Sequence, residues 1–430
     1  MTTATILFAK DSSFDTQLAK KLAFESSMDG TITRNVERII NNVRDRGDEA
    51  LQELTQQFDH HDDIAQLSSQ AIEEASHACP KEVVAALQNA AQRIASYHQK
   101  QLPHDIDYVD NLGVRLGNVW RPMSSVGLYV PGGLASYPSS VLMNAIPAKV
   151  AGVEKLTMVV PAPNNVLNPA VLAAANIAGV DTIYKIGGAQ AIAALAYGTQ
   201  TIKKVDCIVG PGNIYVATAK RYVYGHVGID MIAGPSEILV VSDNQSDPEW
   251  IAADLLSQAE HDQHAQSILI TDDESWAKRV ATSIQEKLEQ LPRKHIAATS
   301  WSERGVIIVV DDLTNQAPSL INKIAPEHLE LALDEEDANA MLREVQHAGA
   351  VFLGRYTPEA MGDYIAGPSH VLPTSSTARF SSGLSVYDFL KRMSVIGCSQ
   401  KAFKTLASDT QILANHEGLD AHALSVSIRS

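Results

Sequence analysis

The sequence predicts an α/β protein with two tandem parallel-sheet domains, a helical N-terminal region and a small C-terminal extension. Two observations support this fold class. From about residue 113, short apolar runs alternate with segments rich in Ala and Leu, and the same alternation starts again at Glu237. This strand–helix–strand rhythm is typical of a parallel sheet that carries helices on both faces, so each domain is expected to be Rossmann-like. The length of 430 residues is sufficient for several cores of that size.

The N-terminal region, residues 1–112, is predicted to be mostly helical between about Phe14 and Lys100. Val36, Ile39 and Val43 recur at helical spacing, which places them on one face. A helix with one apolar face needs a partner, so we expect this region to pack on the larger core.

The rest of the chain divides into three segments, with the first α/β domain at residues 113–235, the second at residues 236–380 and the extension at residues 381–430. Predicted strands of the first domain are residues 127–130, 156–160, 182–186 and 206–209, with helices at 139–150, 168–179 and 189–197. Predicted strands of the second are residues 237–241, 267–270, 306–310, 329–333 and 350–353, with helices at 250–260, 276–288, 318–324 and 335–347. The extension is predicted to contain helices near residues 386–393 and 403–413, followed by a strand-like tail.

Charge and cysteine content restrict the function classes. The formal net charge is −16 and there is no basic run, which argues against binding to nucleic acid or to an anionic membrane. The N-terminus does not look like a signal peptide, and no apolar run is long enough for a membrane helix. The three cysteines are far apart and do not form a disulfide framework, so we expect a cytoplasmic, reducing compartment.

Glycine-rich turns follow three of the predicted strands, at Gly132-Gly133, Gly187-Gly188 and Gly210-Pro211-Gly212-Asn213. Backbone amides at a strand-to-helix turn can bind phosphate or ribose. None of the turns completes the usual dinucleotide fingerprint, because the third glycine is missing from the last turn and Pro211 has no amide donor. Two interpretations stay open: cofactor binding in an unusual mode, and tight turns without a ligand.

One helix carries a candidate metal pair. Gln258 and His261 lie three residues apart in a predicted helix, so both side chains face the same way. An amide oxygen and an imidazole can supply half of the ligands of a divalent metal. The alternative interpretation is a helix face with polar caps.

Candidate acid–base residues lie further along the chain. Glu327-His328 follows Pro326 and precedes a predicted strand. A carboxylate beside an imidazole suits proton transfer, because histidine titrates near neutrality and a nearby glutamate can activate water. A solvated surface pair is the alternative interpretation.

The distal part of the chain offers further carboxylates and imidazoles. Asp363 and His370 lie in a loop bounded by glycine and proline, and Glu417 and His422 lie close to the C-terminus. A histidine near a terminus is more commonly solvated than bound to a ligand, so these residues alone do not define a site.

Taken together, these segments resemble the histidinol dehydrogenase family over nearly the whole chain. The resemblance is specific because many long segments occur in one order. They are residues 126–133 (VGLYVPGG), 186–195 (IGGAQAIAAL), 209–216 (VGPGNIYV), 230–238 (DMIAGPSEI), 253–261 (ADLLSQAEH), 325–330 (APEHLE), 361–364 (MGDY) and 367–373 (GPSHVLP).

The resemblance implies a homodimeric, NAD-linked enzyme of histidine biosynthesis that oxidises L-histidinol through L-histidinal to L-histidine. It implies one zinc ion per subunit, with the ligands Gln258, His261, Asp363 and His422. It also implies His328 as the general base and Glu327 as the group that helps to activate water in the second oxidation.

The resemblance further implies that Ser236, His370 and Glu417 contact the substrate, together with the four zinc ligands and His328. Tyr129, Gln190 and Asn213 are the implied contacts of the dinucleotide. The chain does not depart from the family pattern at these positions.

Two further hypotheses concern the C-terminal segment and the function. The C-terminal segment that carries Glu417 and His422 follows the second α/β domain and has no core of its own, so we expect it to be shared between the two subunits of a dimer. The alternative function is a metal-dependent hydrolase on a similar α/β scaffold that needs no dinucleotide. The glycine turns and Asn213 favour the dehydrogenase.

Overall fold

Two parallel sheets form the centre of the molecule, which confirms the predicted fold class. The computed structural model describes residues 5–23, 30–132 and 137–430. Within these ranges, the first α/β unit contains a five-stranded parallel sheet and the second a six-stranded parallel sheet. A three-stranded antiparallel sheet joins the N-terminal region to the C-terminal region.

The elements that precede the first parallel sheet are β1 (Thr5–Phe8), α1 (Phe14–Leu22), α2 (Gly30–Arg46), α3 (Asp48–Asp59), α4 (Ser69–Ala78), α5 (Lys81–Gln99), β2 (Ile106–Val109) and β3 (Val114–Pro122). The first unit contains β4 (Ser125–Tyr129), α6 (Pro138–Ala151), β5 (Lys155–Val159), α7 (Pro169–Ala178), β6 (Thr182–Tyr184), α8 (Gly188–Tyr197), β7 (Cys207–Val209), α9 (Ile214–Val223) and β8 (Gly228–Ile229).

The second unit contains β9 (Glu237–Ser242), α10 (Pro248–Ala259), β10 (Gln266–Thr271), α11 (Glu274–Leu288), α12 (Lys294–Arg304), β11 (Val306–Val309), α13 (Leu313–Ile324), β12 (His328–Ala332), α14 (Glu335–Glu344), β13 (Ala350–Leu353) and α15 (Glu359–Tyr364). The C-terminal extension contains β14 (Leu390–Cys398), α16 (Gln400–His416) and α17 (Asp420–Ser427). Short 3-10 turns lie at Pro163–Asn165, Thr377–Arg379 and Val386–Phe389.

The first sheet is doubly wound. Its strand order is β6-β5-β4-β7-β8, so the chain runs outward from β4 to β6 and then crosses back to β7 on the other side of β4. Helices α6 and α7 cover one face and α8 and α9 cover the other. The N-terminal helices pack outside these, α4 and α5 on the first layer and α2 and α3 on the second, as the sequence predicted.

The second sheet repeats this topology with one added strand. Its order is β1-β11-β10-β9-β12-β13, and the chain reverses direction between β9 and β12. Strand β1, from the N-terminus, pairs in parallel with β11 at the edge of the sheet. The sequence did not predict this strand, because a four-residue apolar run is too short to assign by periodicity.

Two predictions for the C-terminal extension are wrong. The helix predicted near residues 386–393 is a single 3-10 turn followed by strand β14, whose nine residues pair antiparallel with β3. The predicted strand-like tail is helix α17. The partner of β14 lies far away in the sequence, so a local pattern could not identify it. The helix predicted near residues 403–413 is confirmed as part of α16.

The described part of the chain contains no helix that combines the length and the apolar character needed to cross a membrane. The boundaries between the four segments given above remain a prediction. The N-terminal residues contribute a strand to the second sheet and β2 and β3 to the antiparallel sheet, in addition to their helices.

Candidate functional site

The candidate acid–base residues lie at the amino edge of the second sheet. Glu237 and His328 are the first residues of the neighbouring strands β9 and β12, next to the point where the chain reverses direction. Glu327 Oε2 accepts a hydrogen bond of 2.8 Å from the backbone amide of Glu237. This bond ties the start of β9 to the residue before β12 and holds Glu327 beside His328.

The hydrogen bonds of His328 define its tautomer. Nδ1 lies 2.9 Å from the carbonyl oxygen of Glu237, an acceptor only, so the proton is on Nδ1. Nε2 is buried and has no hydrogen-bond partner, and it lies 3.8 Å from Asp363 Oδ1. Burial lowers the pKa of His328 to about 3. The imidazole is therefore neutral near pH 7, and its free nitrogen points toward Asp363.

Glu327 is a buried acid beside this base. Its Oε2 lies 3.6 Å from His328 Nδ1, and the side chain is 7% exposed. Burial raises the pKa of Glu327, and the nearby carboxylates of Glu237 and Asp363 raise it further. Burial also raises the pKa of Glu237, to about 7. A carboxylate with a raised pKa is a stronger base than an ordinary glutamate when it is ionised.

Helix α15 and the loop after it connect the two units. The carbonyl oxygen of Asp363, on α15, accepts a hydrogen bond of 2.9 Å from His370 Nδ1. With the proton on Nδ1, His370 Nε2 accepts a hydrogen bond of 3.1 Å from the hydroxyl of Ser140, at the start of α6 in the first unit. The amino edge of the second sheet therefore faces the carboxyl edge of the first.

The predicted metal pair lies at the end of α10. Gln258 is fully buried and its Oε1 has no partner, while its Nε2 lies 3.4 Å from His261 Nδ1. His261 was expected on the helix, but it lies in the turn just after it, where its amide donates to the carbonyl of Gln258. The side chains of Gln258 and His261 are nevertheless in contact. His261 is also near enough to lower the pKa of His328 and His370 electrostatically.

Glu359 is a candidate residue that the sequence did not reveal. It is 2% exposed, neither carboxylate oxygen has a hydrogen-bond partner, and Oε1 lies 3.4 Å from His328 Nδ1. His328, Glu359 and Asp363 can each offer one ligand atom within 4.8 Å of the others, which suits a metal ion. Glu359 follows Pro358 at the start of a short helix. A glutamate in a first helical turn is common, so no local signal marked this one.

The unpartnered acceptors fit a divalent cation. A buried carboxylate or amide oxygen without a donor is costly, and a metal ion relieves that cost. The oxygens and nitrogens available from Gln258, His261, Asp363 and Glu359 are ligand types that zinc accepts. His422 and Glu417 show no hydrogen bond or ion pair with this cluster in the described residues. They lie on α17 and at the end of α16, and both are exposed.

Replacing Glu359 by glutamine is expected to raise the melting temperature of the metal-free protein at about pH 8 and to change it little at about pH 5. Burial raises the pKa of Glu359, so its protonated form stabilises the fold, and that stability is lost as the pH rises through the folded-state pKa. Glutamine imitates the protonated acid. The measurement is thermal unfolding of chelator-treated protein, with the exposed Glu336→Gln variant as the control. An equal shift at both pH values would contradict this expectation.

The predicted dinucleotide contacts lie together at the carboxyl edge of the first sheet. Tyr129 ends β4, Gln190 lies in the first turn of α8, and Asn213 follows β7 and caps α9 by accepting from the amides of Tyr215 and Val216. The Tyr129 hydroxyl accepts a hydrogen bond of 3.1 Å from the amide of Gly188. Strands β4 and β7 flank the topological switch point, where doubly wound sheets bind their ligands.

The glycine turns bring backbone close to this edge. Gly210 has a φ of +114°, and a Cβ there would lie 2.1 Å from the carbonyl oxygen of Tyr129. Its amide donates to Asp230 Oδ2 over 2.8 Å, and its carbonyl accepts from Lys220 Nζ over 3.0 Å. Lys220 and Asp230 also form a buried ion pair. The turn is therefore rigid, and only glycine fits it. Gly133 lies outside the described residues.

The corresponding switch point of the second sheet carries an ion-pair network. There, Arg355 forms ion pairs with Asp243 and Asp334 and donates to the carbonyl of Ala332. The guanidinium therefore ties the end of β12 to Asp243, just after β9.

Comparison with known proteins identifies relatives of this chain. A family model described as Histidinol dehydrogenase matches residues 23–430. Histidinol dehydrogenase 1 of Trichormus variabilis is 54% identical over 425 residues, which cover 99% of this chain and 98% of that protein. Histidinol dehydrogenase of Rhodospirillum rubrum is 56% identical over 426 residues, 98% of each chain. The crystal structure of histidinol dehydrogenase from Elizabethkingia anophelis, 36% identical, superposes with a TM-score of 0.93 and covers 99% of this chain and 98% of that chain.

Proposed function

The chain belongs to the histidinol dehydrogenase family, and from this premise we propose that it oxidises L-histidinol through L-histidinal to L-histidine, with NAD as acceptor and a resident zinc ion. The observation that carries the proposal is the neutral His328, whose Nε2 is free, beside Glu327. Both lie within a group of metal-ligating side chains that faces the dinucleotide edge of the first sheet.

Gln258, His261 and Asp363 would hold the zinc ion, with His422 as the fourth ligand. The buried, unpartnered Gln258 Oε1 supports this assignment, because an amide oxygen in that state needs a cation or a donor. When bound, the ion would act as a Lewis acid and would orient the imidazole and amine of the substrate. Ser236, His370 and Glu417 would contact the substrate along with these ligands.

Tyr129, Gln190 and Asn213 would hold NAD at the switch point of the first sheet. Their shared position at the ends of β4, β6 and β7 supports this. When bound, NAD would supply the hydride acceptor for both oxidations. The hydrogen bond from Ser140 to His370 joins this edge to the acid–base residues.

His328 would remove the hydroxyl proton in the first oxidation and again in the second, where the aldehyde has added water. Nε2 is the accepting atom, while the Nδ1–H remains bonded to the carbonyl of Glu237 and stabilises the imidazolium that forms. Glu327 would accept a proton from the water that adds to the aldehyde. Its raised pKa makes its ionised form suited to that step.

The complete site would need two subunits. His422 and Glu417 are exposed on the C-terminal helices, away from the other ligands, and Ile412, Leu413 and Leu424 on the same helices are each about 60% exposed. A partner chain would cover this apolar surface and receive both polar residues, which is how an exchanged segment builds a symmetric dimer. We therefore propose a homodimer in which each C-terminal segment completes the partner's site.

Family membership favours this function over the alternative of a metal-dependent hydrolase. A cytoplasmic location is also proposed, since all three cysteines are free thiols and two of them are buried.

The test of the function is a stoichiometry measurement. Each L-histidinol consumed is expected to yield about two NADH with little free aldehyde, because one site contains both a base and a water-activating carboxylate. Absorbance at the NADH band, product analysis by chromatography and metal analysis of the same sample provide the measurement. Formation of a single NADH with accumulation of histidinal would contradict the proposal, and a zinc-loaded protein that reduces no NAD when L-histidinol is added would favour the hydrolase.

A further inference from the structure

The first sheet lacks an acid where dinucleotide-binding sheets usually have one. In those folds an Asp or Glu at the end of the second strand binds the hydroxyl groups of the adenosine ribose. Strand β5 is the second strand here, since it follows β4 in the chain and lies beside it. The residues after β5 are Val160-Pro161-Ala162-Pro163, which include no acidic side chain.

Asp59 reaches this position from another part of the chain. It is the last residue of α3, and α3 packs on the turn that follows β5. Burial raises the pKa of its carboxyl group, and the nearby backbone amide of Ala162 partly opposes that rise. Asp59 is 7% exposed, and its Oδ2 is buried without a hydrogen-bond partner. A buried carboxylate oxygen in this state needs a donor.

The surroundings of Asp59 are held in place by the sheet. Helix α3 packs on α8 and on the turn at Pro163–Asn165. Four residues further on, Asp63 forms an ion pair with Lys185, just after β6, and Lys185 also donates to Asn165. Between them, His61 is 8% exposed and neither ring nitrogen has a partner. The segment from Asp59 to Asp63 therefore holds two buried side chains without a full set of hydrogen-bond partners, Asp59 and His61.

This place adjoins the proposed dinucleotide contacts. The carboxylate of Asp59 is near enough to the Tyr129 hydroxyl to raise its pKa, and that hydroxyl accepts from the Gly188 amide at the start of α8. Asp59, Tyr129 and Gly188 therefore line the same edge of the first sheet. This edge also carries Gln190, in the first turn of α8.

We propose that Asp59 Oδ2 accepts a hydrogen bond from the 2′-hydroxyl of the adenosine ribose and that its negative charge selects NAD over NADP. The inference rests on the proposed function, because it concerns the dinucleotide of that reaction. The ribose hydroxyl supplies the donor that the carboxylate lacks. A 2′-phosphate would bring negative charge against this carboxylate, which forms no ion pair in the described residues, although His61 and His60 are near enough to lower its pKa electrostatically.

The experiment measures binding directly, by isothermal titration calorimetry of the zinc-loaded protein without substrate. The ligands are NAD, its analogue with a 2′-deoxyadenosine ribose, and NADP. The wild-type protein is expected to bind the deoxy analogue about tenfold more weakly than NAD, which is the effect of losing one hydrogen bond to a charged group. Asp59→Asn, which loses the charge and keeps one acceptor oxygen, is expected to bind NAD more weakly, to discriminate less against the deoxy analogue, and to lower the ratio of its affinities for NAD and NADP.

Asp62→Asn is the matched control, because Asp62 is exposed and lies in the same loop. It should retain the wild-type ratio of affinities for NAD and the deoxy analogue, and also the wild-type ratio for NAD and NADP. Equal affinity of the wild-type protein for NAD and the deoxy analogue would overturn the inference without any substitution, so the test does not depend on folding of the variant. Unchanged ratios in Asp59→Asn would also overturn it. Absence of NAD binding by the wild-type protein would overturn the proposed function, and this inference with it.

Discussion

Replacing His328 by alanine is expected to slow both oxidations by about 10²–10⁴-fold, the usual effect of removing a general base. Both steps need a proton removed as the hydride leaves, and Nε2 of His328 is the unpartnered nitrogen of a neutral imidazole at the centre of the site. Single-turnover rates with L-histidinol and with L-histidinal as separate substrates provide the measurement. Near-wild-type rates for both substrates would remove His328 from the mechanism.

The neighbouring acid provides a control that separates the two steps. Glu327→Gln keeps the size of the side chain and an acceptor for the Glu237 amide, so the start of β9 should remain in place. We expect this variant to slow oxidation of the aldehyde more than oxidation of the alcohol, because only the aldehyde must first add water. Equal effects on the two substrates would contradict a role for Glu327 in water activation.

Mixing two inactive variants, His422→Ala and His261→Ala, is expected to restore activity. If the C-terminal segment crosses to the partner, a mixed dimer has one site with all four zinc ligands and one site that lacks two. An equal mixture with free exchange of subunits would then contain about a quarter of its sites intact. Activity and bound zinc, measured after subunit exchange, are the readouts.

The matched control for this experiment mixes His261→Ala with Asp363→Ala. Both ligands lie on the body of the same subunit, so no arrangement of the mixed dimer restores a complete site. Recovery in the first mixture and none in the second supports the shared site. If the subunits exchange, as shown by mass labels, and the first mixture stays inactive, the C-terminal segment serves its own chain.

Much of the fold could be predicted because its signals are local. Apart from the two-residue β8, the strands of both parallel sheets are mainly apolar runs of three to six residues, and helices separate most of them, so the strand–helix rhythm appears directly in the sequence. The antiparallel sheet was not predicted. Strand β14 pairs with β3 over nine residues, but the two are separated by most of the chain, and neither alone shows where its partner lies.

The residues of the candidate site also divide into those that local sequence predicted and those that it did not. Gln258, His261, Glu327 and His328 were predicted from segments in which the chemistry-bearing residues are close together in sequence. Glu359, Ser140 and Asp59 were not predicted, because each is an ordinary residue in its own segment. The fold places Glu359 beside His328, Ser140 beside His370, and Asp59 near the end of β5.

The sequence by itself determined the fold class, the family and the residue types available for metal binding and proton transfer, since these depend on periodicity and on short motifs. Only the tertiary structure decided which atoms are free to act. The bond from His328 to the Glu237 carbonyl leaves Nε2 as the free nitrogen, and the amino edge of the second sheet, rather than its carboxyl edge, holds the acid–base residues. The reason is that a tautomer, a buried oxygen without a donor and the choice of a sheet edge depend on contacts between residues that are distant in the chain.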